Sequence, residues 1–135
     1  MSKYIERARE RRDDPLVHYN CAQAVLIPFA EDAGLTDELA FSISSNFGSG
    51  MKMGSVCGAI TGGLMVLGLF GLNSQGVINR YYKALRANHS GCLDCADLLR
   101  MNSEAGRGRK PHCDDMVYEC VSLAESLLRE QGRLE

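Results

Sequence analysis

Apolar residues recur three and four positions apart along most of the chain, and no run alternates apolar and polar residues strictly enough to mark a strand. Asp14-Pro15 reads as an N-cap followed by a proline at the first helical position, and Val17, Cys21, Ala24, Val25 and Pro28 then share a helix face. Pro28 kinks that helix or ends its regular part, and Gly34 suits the stop beyond it. Thr36-Asp37-Glu38 opens the next helix, whose inner face carries Leu39, Ile43 and Phe47. A glycine-broken loop over 48–55 leads to Cys57, which opens a long apolar helix. Ile78, Tyr81, Tyr82 and Leu85 place another helix over 76–87, and Cys92, Cys95, Leu98, Leu99 and Asn102 repeat the spacing. A charged loop over 104–110 precedes a last helix on which Cys113, Val117, Cys120, Ala124 and Leu127 share a face. Residues 3–12 are mostly charged and read as a solvated helix or a frayed arm. The pattern predicts an all-α chain, one domain over 1–135, of about six helices packed around a central glycine-rich apolar helix.

One stretch tests whether that helix is buried in protein or in lipid. Residues 53–79 carry no charge, and residues 56–72 are nearly all apolar, at the short limit for a bilayer span. Gly58, Gly62, Gly63, Gly68 and Gly71 crowd the run, and flanking aromatic anchors are missing, so a buried helix is expected and no transmembrane span. Fifteen Lys and Arg against seventeen Asp and Glu give a net charge of -2, without the basic footprint of a nucleic-acid binder. The first dozen residues have no apolar run of the kind a secretory signal needs, so a reducing cytoplasm is the expected compartment. There, six cysteines read as metal ligands or redox thiols before structural disulfides.

Free cysteine also behaves as a small hydrophobe, so position matters more than number. Cys57 falls at a helix start, where unsatisfied N–H groups and the positive end of the macrodipole favour its thiolate. Gly58 and Gly62 beside it allow another backbone, or a cofactor, to approach closely. Cys92-Leu93-Asp94-Cys95 is a Cys-x-x-Cys that would put two thiols on one helix face, able to share a metal or exchange a disulfide. Ala96 comes directly after it, which excludes a c-type haem attachment, and no strands supply a thioredoxin context. Cys113 and Cys120 lie two turns apart, too far for a disulfide along one straight helix. His18, His89 and His112 are the remaining soft ligands, better explained as solvated or capping groups. No phosphate-loop ending, Gly-x-Ser-x-Gly elbow or His-Glu-x-x-His occurs.

The segment Gly54-Ser55-Val56-Cys57-Gly58-Ala59-Ile60-Thr61-Gly62-Gly63-Leu64-Met65-Val66-Leu67-Gly68 resembles the C-GCAxxG-C-C family of redox-active proteins, through its Cys-Gly-Ala-x-x-Gly core. Asn20-Cys21-Ala22-Gln23-Ala24-Val25, the Cys-x-x-Leu of Cys95 to Leu98, and Cys113 near the last helix start are similar to family members too. The resemblance covers nearly the whole chain. It implies an all-α fold, a redox role, and four signature cysteines at Cys21, Cys57, Cys95 and Cys113, with Cys92 and Cys120 as extras.

Three functions are compatible with these residues. The first is thiol–disulfide exchange or electron transfer, with Cys57 as the attacking thiol, Cys21, Cys95 or Cys113 as its resolving partner, and a redox partner protein. The second is a binding module in which Cys21, Cys57, Cys95 and Cys113 hold zinc or an iron–sulfur cluster. The third is a helical scaffold that partners a transporter. A homodimer is the default assembly.

Overall fold

The computed structural model describes residues 2–134. Among the described residues seven α-helices succeed one another: α1 (Lys3–Arg12), α2 (Cys21–Ala30), α3 (Asp37–Ser44), α4 (Gly58–Leu69), α5 (Gln75–Asn88), α6 (Cys95–Glu104) and α7 (Arg109–Glu130). A 3-10 turn over Glu31–Ala33 extends α2. Among the described residues the only extended pairing is an isolated antiparallel bridge between Val56 and Asp94. The all-α expectation holds, with seven α-helices in place of six. No helix among the described residues is long and apolar enough to cross a membrane.

Helix α2 packs against α1, α3, α4 and α7, and α7 packs against α1, α2, α4, α5 and α6, while α4 packs chiefly against α2 and α7. The α2–α4 contact is close because α4 offers glycines there. A Cβ on Gly62 would stand 2.9 Å from the Ala22 carbonyl oxygen, and one on Gly58 would stand 2.7 Å from that of Phe47. The room made by Gly58 and Gly62 is taken mainly by backbone, one of the two occupants expected there, and Gly58 also borders the cavity described below. Buried residues of α1, α2, α4, α5 and α7 form one continuous apolar cluster.

Three elements depart from the sequence expectation, each for a local reason. Asp14 does cap, but what it caps is a turn: its Oδ1 accepts the N–H groups of Leu16 (2.8 Å) and Val17 (3.0 Å). The helix begins six residues later, where Asn20 and Gln23 form a reciprocal capping box with both bonds at 2.8 Å. Residues 13–20 are consequently a loop and Cys21 is the first residue of α2. The inner face of α3 carries Ala40 and Ser44, whereas Leu39 and Ile43 are about half exposed. Small residues let α3 lie close to α2, where Gln23 donates to the Phe41 carbonyl at 3.0 Å. Residues 3–12 form a helix docked by one face rather than a solvated or frayed arm: Tyr4 stacks on Phe29 at 4.1 Å and donates to Asp32 at 2.6 Å, and Ala8 is fully buried, while Lys3, Glu6, Arg9 and Glu10 are exposed.

Before α4 the chain passes through a left-handed turn at residues 49–52, in which Ser49, Met51 and Lys52 all have φ between 53° and 58°. Non-glycine residues resist this conformation, and surrounding bonds hold it. Ser55 donates to the Gly50 carbonyl (2.9 Å), Lys52 to Asn46 (3.0 Å), and Arg109 of α7 to the Ser49 hydroxyl (3.1 Å).

Candidate thiol site

Four cysteines stand at or near the starts of four helices. Cys21 is the first residue of α2, Cys57 occupies the N-cap position of α4, Cys95 is the first residue of α6, and Cys113 is the fifth of α7. The bridge between residues 56 and 94 sets two of them together: Cys57 donates its N–H to the Leu93 carbonyl at 2.9 Å, and Cys95 donates to that of Ser55 at 2.6 Å. Side chains one step either side of a bridge project to the face opposite the bridged pair. Cys57 and Cys95 thus share a face. All four cysteines line one cavity of about 550 Å³, walled on one side by the 13–20 loop.

The thiols in it are electrostatically unlike. Cys113 is half-buried, and its pKa is lowered to about 6, first by the hydrogen bond from the Cys21 thiol and then by the nearby Arg12 and Arg109 guanidiniums. Cys21, the donor of that pair, is held well above the ordinary thiol range, first by the same bond, then by burial and by the charge of Cys113. The two thiols are therefore coupled, the proton affinity of Cys113 lowered and that of Cys21 raised. Cys57 behaves differently from the expectation of a thiolate. Its sulfur does receive N–H groups of Ala59 and Ile60, but burial outweighs them and pushes it up to about 11. Cys95 is raised by burial and by Cys113, against Arg109.

Arg12 is fixed by a nearly buried ion pair with Asp114 at 2.6 Å and by a 2.9 Å bond to the Tyr19 carbonyl. It holds the end of α1 against the stretch of α7 beside Cys113. Neither arginine was among the residues that the sequence singled out. Arg109 had a signal, since it precedes Cys113 by four positions on one helix and so shares its face. Arg12 had none, because only packing of α1 on α7 brings it there.

Cys92 and Cys120 do not line the cavity. Cys92 precedes α6 rather than lying on it, because Ser90 and Gly91 turn through positive φ and residue 94 then pairs with residue 56. The Cys-x-x-Cys therefore does not present two thiols on one helix face. Cys120 is fully buried beside Tyr81, whose hydroxyl donates to the Ile60 carbonyl at 2.9 Å. His18 and His112 border the cavity, while His89 is paired with Glu119 at 2.8 Å. All six cysteines are free. Among the described residues no group of three or more His, Cys, Asp or Glu side chains is placed to hold a metal ion.

By fold and site this is a helical thiol protein in which four helix starts face one cavity. The chain belongs to the C_GCAxxG_C_C family, described as putative redox-active proteins, whose family model matches residues 19–127. That span contains all six cysteines. No curated protein and no solved structure matches the chain.

Proposed function

We propose that the protein is a thiol–disulfide redox protein in which Cys113 is the attacking thiolate and Cys21 resolves. The observation that carries this is that Cys21, Cys113, Arg12 and Arg109 line one cavity, where the Cys21 thiol and both guanidiniums lower the proton affinity of Cys113. A thiolate, not a thiol, attacks disulfides, and its resolving partner must lie within reach. In the first step the Cys113 sulfur attacks one sulfur of a substrate disulfide. A mixed disulfide forms and one substrate thiolate leaves, taking the Cys21 proton. Cys21 sulfur then attacks Cys113 sulfur, forming the Cys21–Cys113 disulfide and expelling the second substrate thiolate. The substrate gains two electrons and the protein loses two. An external dithiol reductant returns them by the reverse exchange. Cys57 and Cys95, with raised proton affinities, stay protonated during this exchange.

The test is a small disulfide added to the fully reduced chain, with acid quench and peptide mapping afterwards. The expected product is a Cys21–Cys113 cross-link, with Cys21→Ser accumulating substrate adduct on Cys113 and Cys113→Ser forming neither. Adduct first on Cys57, or a cross-link that omits Cys113, would overturn the assignment.

A further inference from the structure

We infer that the cavity at Cys113 takes a small disulfide bearing carboxylates, an inference that rests on the exchange reaction proposed above and names its substrate class. A volume of about 550 Å³ suits a small molecule. The charge of the lining is the discriminating feature. The chain as a whole carries -2, yet four cations, Arg11, Arg12, Arg109 and Lys110, line this cavity, against a single carboxylate, Asp14. That carboxylate is engaged by its own loop, accepting the N–H groups of Leu16 and Val17.

The four cations are not equally available. Arg12 and Lys110 both pair with Asp114, at 2.6 and 2.8 Å, and Arg11 pairs with Asp37 at 3.3 Å. Arg109 differs: it donates to the Ser49 hydroxyl at 3.1 Å and lies near enough to Cys113 to lower its proton affinity, and among the described residues no carboxylate forms an ion pair with it. The proposed reaction changes its surroundings. When Cys113 enters a mixed disulfide its negative charge disappears, and Arg109 loses its anionic neighbour. A carboxylate on the bound half of the substrate replaces that charge, and the planar guanidinium matches a carboxylate with two parallel hydrogen bonds. Leu98, Leu99 and Met116 supply an apolar wall for the aliphatic stem between sulfur and carboxylate.

The experiment compares three symmetrical disulfides of similar size on the fully reduced full-length chain: 3,3′-dithiodipropionate (anionic), 2-hydroxyethyl disulfide (neutral) and cystamine (cationic). The rate of mixed-disulfide formation at Cys113 is divided by the rate of a small free thiol with the same compound, which removes intrinsic reactivity. The expected order is anionic, neutral, cationic, with the anionic compound favoured over the neutral one by about tenfold or more at low salt and much less at 1 M salt. Arg109→Gln slows all three by weakening the thiolate, so its readout is the ratio, which should fall toward that of the free thiol. Equal normalised rates for the three compounds on the unmodified chain would overturn the inference while leaving exchange at Cys113 intact. No adduct at Cys113 from any of them would overturn the exchange reaction, and this inference with it.

Discussion

The pH profile of Cys113 alkylation tests the electrostatics most directly. A pKa of about 6 makes Cys113 about 90% thiolate at pH 7, whereas an ordinary cysteine near 8.5 is about 3% ionised there. That roughly thirtyfold gain in thiolate does not translate into thirtyfold reactivity, because nucleophilicity falls with pKa at a Brønsted slope of about 0.4–0.5. Over a shift of about 2.5 units the loss is roughly 10–20-fold, leaving Cys113 only about two- to threefold faster than an ordinary thiol at pH 7. At pH 6 the same arithmetic gives about tenfold. The signature is therefore the shape of the curve. Iodoacetamide alkylation resolved by peptide mass spectrometry should show Cys113 rising to a midpoint near pH 6 and flat above pH 7. Cys21→Ala should move that midpoint upward, since the Cys21 hydrogen bond is the largest influence holding it down, and Arg109→Gln should move it upward less. A Cys113 rate that still climbs tenfold per unit through pH 8, or an unmoved midpoint in Cys21→Ala, would refute the coupling of the two thiols.

The remaining predictions concern stability. Burial holds the Cys57 proton until about pH 11, whereas the unfolded thiol releases it near 8.5, so alkali between those values favours unfolding. Thermal melts should accordingly show Tm falling from about pH 8.5 to 11, and falling less steeply in Cys57→Ala, where an equal slope would contradict it. Gly63→Ala puts a methyl group against the buried Tyr81 hydroxyl, which donates to Ile60, and should cost about 3 kcal/mol in urea unfolding. Gly68→Ala in the same helix meets nothing within 4 Å and should be neutral or stabilise by up to about 1 kcal/mol; equal effects at the two sites would refute the packing argument. Asn20→Ala removes the reciprocal cap of α2 and a bond to the Ser45 carbonyl, and should lower stability by about 1–2 kcal/mol by the same assay, no loss being the contrary result.

Helix content was legible in the sequence because apolar spacing and termination are local properties. Gly34 does end the α2 segment with φ 77°, Thr36 does cap α3, and the shared face of Val117, Cys120, Ala124 and Leu127 is buried. The boundary of α2 was also written locally, as Asn20-x-x-Gln23, but Asp14-Pro15 offered a rival start, and Asp14 and Asn20 each cap the backbone two or three residues further on. The face of α3 was less legible, since burial of Ala40 and Ser44 over Leu39 and Ile43 depends on how closely α2 approaches.

The same division runs through the thiol site. The residue types, the glycines that let α2 approach α4, and the four cysteines now found around one cavity were all available from the sequence. Which thiol holds the negative charge was not. A helix start favours thiolate at Cys57 by a local interaction, and that interaction is present, but burial in the folded chain is stronger and reverses the result. The proton affinity of Cys113 is lowered because α1 brings Arg12, α2 brings the Cys21 thiol, and α7 brings Arg109 near one sulfur. Helix starts and stops are fixed by neighbours a few positions away, so sequence alone determines them. Proton affinity depends on every charge and every excluded water around an atom, and only tertiary packing decides those.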